Sequence, residues 1–322
     1  SVNSATAADG EKNVEPPVFS AVDECLLTAL KQAAPEQTVA ELRNSCQQET
    51  PTLVKHRVNL EKQASKNPFA IVPHKPNFVL PASVTNINQE PYVGTPIDSE
   101  LDDVEIKFQV SLKYLAAQDL VFNDLDLEIA FTATSWWQAY NSAISAPFRE
   151  TNYEPELIFN YHHSWSLLGL PIEQTSLSFN HQSNGQTGKL SRSWNRIILG
   201  LTFAPADNVL WGLRTWYRLP EDEKIDPLDP AGDDNPDIEK YLGFGELGGL
   251  WSISDKHSLE FMFRNNLRTD DNRGAIQLGW SFPVNDRIQG YVEYFNGYGE
   301  SLIYYNQHSQ RLGIGFKLTN WL

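Results

Sequence analysis

The chain reads as all-β, a 12-stranded antiparallel transmembrane β-barrel with a short N-terminal helical hairpin extension. Three observations predict it. From about Pro76 to the end, apolar and polar residues alternate strictly, which is the period of strands with one apolar face. The connections between the alternating runs alternate between short turns and long polar loops, the construction of bacterial outer-membrane barrels. The chain also spreads 12 Tyr, 16 Phe and 9 Trp over a sequence without ~18 consecutive apolar residues, as expected when lipid-facing and lumen-facing positions dilute each other.

The elements follow in order. Residues 1–75, rich in Ala, Glu, Gln and Pro, form a partly flexible periplasmic extension. The first ten residues lack the charged-then-apolar layout of a secretory signal, so a mature form is expected. The only cysteines, Cys25 and Cys46, flank a helical hairpin: Leu26, Leu27 and Leu30 precede Pro35, and Val39 and Leu42 follow it. Thr38 with Glu41 makes a capping box for the second helix. The two cysteines suit a disulfide in an oxidising compartment, the alternative being two buried thiols, while their number and spacing exclude a zinc or CxxC redox site.

The barrel occupies residues 76–322, with strands beginning near Asn77, Glu105, Leu127, Leu157, Glu173, Ser193, Val209, Tyr241, His257, Ala275, Ile288 and Gln310. From Arg311 to Leu318 every even position is apolar and every odd one small or charged; Ala275–Phe282 repeats the pattern. Short turns at Leu168–Pro171, Ala204–Asn208, Ser254–Lys256 and Pro283–Asp286 interleave with long loops at Gln138–Pro155, Pro220–Lys240 and Asn296–Ser309. Only Ala116–Asp126 is longer than this rhythm expects. Glycines and charges at the less apolar positions imply a lumen filled with side chains rather than an open pore. Trp136, Trp137, Trp194, Trp216 and Tyr217, near strand ends, are expected in the aromatic girdle.

With 25 Lys+Arg against 41 Asp+Glu, the net charge of −16 excludes nucleic acid as a partner and leaves divalent cations open. Asp226, Asp229, Asp233, Asp234 and Asp237 share one loop, readable as a solvated acidic surface or as calcium ligands. His162 and His163 are adjacent on a strand, face opposite ways and do not share an ion.

The chemistry concentrates in Asn180-His181-Gln182-Ser183-Asn184-Gly185 and Ser191-Arg192-Ser193-Trp194-Asn195-Arg196. A hydroxyl, an imidazole two residues away, a glycine amide and an asparagine on the next strand are the parts acyl transfer requires. The same residues also suit a hydrogen-bonded turn with Asn184-Gly185 at positive φ. Parity adds weight to the first reading and leaves the second open. His181 and Ser183 continue the face of Leu177 and Phe179, and Asn195 that of Ile197, Leu199 and Leu201, so all three project outward toward lipid. Polar groups beside lipid call for a function that a turn does not supply.

These two segments, with Ser135-Trp136-Trp137-Gln138, the run from Pro147 to Pro155, Asp233-Asp234-Asn235-Pro236-Asp237 and the run from Gly297 to Leu302, resemble outer-membrane phospholipase A over most of 67–318. The cystine hairpin lies outside the resemblance. The resemblance implies an outer-membrane barrel hydrolysing both acyl esters of glycerophospholipids, and lysophospholipids, with Ser183 as nucleophile, His181 as base and acid, and Asn195 orienting the imidazole. It implies the amides of Ser183 or Gly185 as oxyanion donors. It implies Ca2+ at a homodimer interface, held by the Gln186 carbonyl and Ser191 hydroxyl of one protomer and the Ser145 carbonyl of the other, with pairing as the switch for activity. Three positions depart from the pattern. Gln186 replaces a basic residue, which leaves a backbone ligand intact. Gly188 replaces an acidic one, so a second calcium site on Asp234 has fewer carboxylates. Ala133 replaces a polar residue on the presumed dimer face, shifting pairing toward apolar packing.

Overall fold

The computed structural model describes residues 37–48 and 70–319, except 96, 99–100, 227–228, 230, 255 and 286–287, together with isolated earlier positions at 26–27, 29–31, 33, 64 and 67. The chain divides into two compact units, Ser1–Thr52 and Leu53–Leu322. In the first, helix α1 spans Val39–Gln48. The capping box forms as the sequence predicts: the Thr38 amide donates to Glu41 Oε2 at 2.8 Å, and the Glu41 amide donates to Thr38 Oγ1 at 3.2 Å. The Thr38 backbone N–H, then its hydroxyl, holds the Glu41 carboxyl below its ordinary range. Cys46 is buried on this helix, whereas Cys25, and with it the expected pairing, lies outside the described residues.

The second unit is a closed antiparallel barrel of twelve strands: β2 (Asn77–Thr85), β3 (Val104–Ala117), β4 (Leu125–Trp137), β5 (Phe148–Leu167), β6 (Leu170–Ser183), β7 (Ser193–Ala206), β8 (Val209–Leu219), β9 (Gly245–Ser254), β10 (His257–Asn265), β11 (Gly274–Pro283), β12 (Gln289–Tyr298) and β13 (His308–Thr319). Each pairs with the next, and β13 pairs with β2 to close the ring, so no edge is left unpaired. A short β1 (Ile71–Pro73), on the extension side of the expected boundary, pairs with Leu112–Tyr114 of β3.

Three expectations are corrected. β5 begins at Phe148 rather than near Leu157: Glu150, Asn152 and Glu156 turn inward, and the outer face between Phe148 and Leu157 is carried by Thr151, Tyr153 and Pro155, where a threonine and a proline weaken the apolar alternation. Tyr241 belongs to a one-turn helix, α2 (Glu239–Leu242), and β9 starts only at Gly245. Trp136, Trp194 and Trp216 are 1%, 0% and 5% exposed and point into the barrel, not toward lipid. Tyr217 is exposed, and the exposed tryptophans among the described residues are Trp165, Trp211, Trp251 and Trp280. These last lie near the short turns, at the girdle of the opposite rim.

Elsewhere parity holds. Leu312, Ile314, Phe316 and Leu318 face out, while Arg311 and Lys317 are buried. Inside, the charges pair: Arg149 donates to both Glu105 oxygens at 2.9 and 2.7 Å, and Glu293 receives Lys107 at 2.9 Å and Arg311 at 2.5 Å. His74 and Lys75, between β1 and β2, turn inward onto Glu156 and Glu154, with Lys75 Nζ 2.6 Å from Glu154. A cavity of about 430 Å³ remains among these groups. The long loops share one end of the barrel. There the loop bearing α2 and the β12–β13 loop fold inward, packing Ile238, Leu242, Leu302 and Tyr305 on Trp194 and Trp216.

Candidate active site

β6 and β7 pair in a register that sets His181 opposite Asn195 and Ser183 opposite Ser193. The even residues of β6, Ser178, Asn180 and Gln182, line the interior. His181 and Ser183 therefore lie on the outer wall with the exposed Leu177 and Phe179. Asn195, between the buried Trp194 and Arg196, faces the same way. The inward neighbours lock this stretch from behind. Arg196 donates through Nε to Asn180 Oδ1 at 3.0 Å and stacks over the Trp194 ring at 4.0 Å, and Trp194 Nε1 donates to Gln182 Oε1 at 2.8 Å.

His181 Nδ1 lies 2.8 Å from Asn195 Oδ1. A carbonyl oxygen only accepts, so Nδ1 carries the proton and Nε2 presents its lone pair. Ser183, two residues along the same face, sits about 7 Å from His181 between Cα atoms, and no hydrogen bond joins its hydroxyl to the imidazole among the described residues. Asn195 Nδ2 in turn donates to Glu221 Oε1 at 3.1 Å.

Beyond Ser183 the chain turns through 184–192, and the buried Asn184 side chain staples that loop. Its Oδ1 accepts from the Gln186 amide at 3.3 Å and the Arg192 amide at 3.0 Å, while its Nδ2 donates to the Leu190 carbonyl at 2.8 Å. Gly185 has φ +63°, and a Cβ there would meet the Tyr153 ring at 3.2 Å, so both backbone and space require glycine. The two amides expected to face an oxyanion thus flank a fixed turn.

Among the expected metal ligands, Ser191 and Asp234 come together: Ser191 Oγ donates to Asp234 Oδ2 at 2.7 Å. Lys224 Nζ reaches the other Asp234 oxygen at 2.5 Å, and the Ser193 amide donates to Asn235 Oδ1 at 3.0 Å, drawing the acidic loop against the start of β7. Gln186 is exposed on the same 184–192 loop. Ser145 lies on the β4–β5 loop, and no hydrogen bond joins it to Gln186 or Ser191 among the described residues. Ser145 and Ala146 are both left-handed, at φ +59° and +48°, and Trp137 Nε1 donates to the Ala146 carbonyl at 2.9 Å. Oxygen donors from a hydroxyl, a backbone carbonyl and a carboxylate suit a hard cation such as calcium. Of the remaining loop aspartates, Asp233 is committed to Arg218 at 2.5 Å. Asp237 accepts from the Tyr305 hydroxyl at 2.7 Å, and burial together with this bond pushes the Tyr305 phenol well up, keeping it a donor.

A family model described as Phospholipase A1 matches residues 54–318. The chain belongs to the phospholipase A1 family. Within that family it is 33% identical to the phospholipase A1 of Klebsiella pneumoniae over 258 residues, covering 80% of this chain and 85% of the relative. It is 34% identical to a putative phospholipase A1 of Neisseria meningitidis over 278 residues, covering 81% and 69%. Among solved structures, the Salmonella typhi outer membrane phospholipase dimer with bound calcium superposes with a TM-score of 0.72 at 31% identity, covering 81% of this chain and 96% of that one. An active-site asparagine-to-alanine variant of the Escherichia coli outer membrane phospholipase A gives 0.71 at 31% identity, covering 79% and 93%. The protein is thus a phospholipase of the outer membrane, built on the family's closed twelve-stranded barrel.

Two groups in this phospholipase escaped the sequence reading. Asn184 looked like a simple turn former, and only its three bonds show it as the clasp of the loop. Glu221 follows Leu219, which pairs with Asn195, so parity was available, but the register of β7 against β8 was not.

Proposed function

We propose that this outer-membrane phospholipase hydrolyses the sn-1 and sn-2 acyl esters of glycerophospholipids, and lysophospholipids, through Ser183, His181 and Asn195, and that calcium-linked dimerisation switches it on. The observation that carries the reading is the 2.8 Å contact between His181 and Asn195 on the lipid-facing wall, with Ser183 beside it. An active site on the outside of a barrel meets lipid where lipid is.

Asn195 accepts from Nδ1 and so leaves Nε2 as the base. His181 takes the Ser183 proton as Oγ attacks the ester carbonyl, and the tetrahedral oxyanion forms against the amides of Ser183 or Gly185. His181 returns the proton to the departing glyceryl oxygen, giving an acyl-serine. It then deprotonates a water that cleaves the acyl-serine, releases fatty acid and restores the hydroxyl. Asn195 stays neutral throughout, fixing the tautomer without the full charge an aspartate would bring to the imidazolium.

The Gln186 carbonyl and Ser191 hydroxyl of one protomer, with the Ser145 carbonyl of the other, would hold the calcium, and Asp234 a second ion. Bound there, the cation supplies positive charge that polarises water and favours the oxyanion. Support for this reading is the all-oxygen donor set, and the calcium-bound dimer known for the Salmonella relative. Even strand number returns both chain ends to the short-turn rim. This supports a periplasmic N-terminal extension, in which a Cys25–Cys46 disulfide would form.

The test is release of fatty acid from mixed phospholipid–detergent micelles by the parent, Ser183→Ala and His181→Ala, each with and without EDTA, using lipids labelled separately at sn-1 and sn-2. Both labels are expected from the parent with calcium. Persisting release in either variant, or undiminished release in EDTA, overturns the proposal.

A further inference from the structure

We infer that Glu221 is a positioning residue for this chemistry, fixing the Asn195 amide and supplying the negative charge that an asparagine lacks; the inference rests on the proposed roles of Ser183, His181 and Asn195. A planar amide can present either its oxygen or its nitrogen to a neighbour. With oxygen toward His181 Nδ1, the imidazole must carry its proton there and Nε2 is a base. With nitrogen toward it, Nδ1 must accept, the proton moves to Nε2, and the ring cannot take the serine proton. The amide orientation therefore selects the working tautomer, and something must select the amide orientation.

Glu221 does so by its chemistry. A carboxylate only accepts, so the Asn195 group 3.1 Å from Glu221 Oε1 has to be the NH2, and the group 2.8 Å from His181 has to be the carbonyl. The backbone makes the arrangement local. Leu219, the last residue of β8, pairs with Asn195, and Pro220, lacking an N–H, ends the ladder. Glu221, two residues on, returns to the outer face over Asn195. It makes no other hydrogen bond or ion pair among the described residues, so it is not an ordinary member of a surface salt bridge.

The charge has a second effect. As His181 takes the serine proton, positive charge develops one amide away from the carboxylate. The Asn195 dipole, negative end to the imidazolium and positive end to Glu221, is aligned by both, and bonds in such a chain strengthen one another. The chain His181–Asn195–Glu221 thus splits between two residues what a single aspartate does in the usual triad: geometry in one, charge in the other.

The experiment is a double-mutant cycle on the full-length protein in phospholipid–detergent micelles at saturating calcium, reading kcat and KM separately, with folding checked by the heat-dependent gel shift of closed barrels. Glu221→Ala is expected to lower kcat about tenfold, the effect of losing one charge-assisted bond, with KM nearly unchanged. Glu221→Gln keeps an acceptor but no charge, and should lose about threefold. In the Asn195→Asp background the sign should reverse. Two carboxylates then face each other, and adding Glu221→Gln turns repulsion into a donor–acceptor pair, raising kcat about tenfold over Asn195→Asp alone. A residue that merely props the loop would act equally in both backgrounds. Equal Glu221→Gln factors in the two backgrounds, or Glu221→Ala within twofold of the parent, overturn the inference. If Ser183→Ala is inactive in the same assay, the inference falls alone; if Ser183→Ala retains hydrolysis, the underlying assignment falls with it.

Discussion

Asn184→Ala should weaken the response to calcium far more than it weakens the barrel. The wild-type side chain is 3% exposed and makes three bonds that close the loop from 184 to 192, to the amides of Gln186 and Arg192 and the carbonyl of Leu190. At about 1 kcal/mol net for each bond, the loss sums to about 3 kcal/mol. Gln186 is exposed and water re-solvates its amide, which reduces the figure to about 2 kcal/mol. That energy is withdrawn from the closed form of the loop. If only the closed loop sets the Gln186 carbonyl beside the Ser191 hydroxyl, the calcium concentration for half-maximal activity rises by up to about 30-fold, the ceiling reached when the loop without this side chain is mostly open. Asn184→Asp keeps the acceptor for the Gln186 and Arg192 amides but sets a second oxygen against the Leu190 carbonyl, and should shift the midpoint less. The assay is initial fatty-acid release against free calcium in micelles, with the gel shift of the folded barrel as control. An unchanged midpoint in Asn184→Ala, with the barrel folded, would refute the reasoning.

Two further outcomes can be measured directly. Glu105→Ala strands the fully buried Arg149 and should destabilise the barrel by about 3–5 kcal/mol in urea titrations from detergent, whereas replacing both residues by apolar ones of similar volume should cost much less; equal losses would contradict this. In α1, the Glu41 carboxyl titrates below its ordinary value of 4.5, so its capping bond is present above that pH and is lost as pH falls through the lowered value. Protection of the Thr38 amide against hydrogen exchange should fall over that acid range, and Glu41→Gln should abolish the pH dependence.

The barrel was legible because its lipid-facing residues obey a period of two that a single sequence displays. Ile314 and Arg311 declare their sides without help from the rest of the chain. The outward direction of His181, Ser183 and Asn195 was legible for the same reason. Trp136, Trp194 and Trp216 were misplaced by an average rule about aromatic belts, although the parity that sent Asn195 outward also sends Trp194 inward. The first half of β5 was hidden because Thr151 and Pro155 interrupt its outer apolar face, while Glu150 and Asn152 bond the β12–β13 loop inside. Glu221 and the Ser191–Asp234 contact depend on register and on how a long loop folds back, and neither leaves a periodic trace.

Turning His181 and Asn195 to the exterior changes what concentration means for this enzyme. With the proposed site on that wall, a lipid would reach it by drifting sideways within its own leaflet, never crossing water, so occupancy would follow the mole fraction of phospholipid in the surrounding film rather than its bulk molarity. The released fatty acid and lysolipid would stay in that film, where they would dilute the remaining substrate and compete for the same stretch of wall.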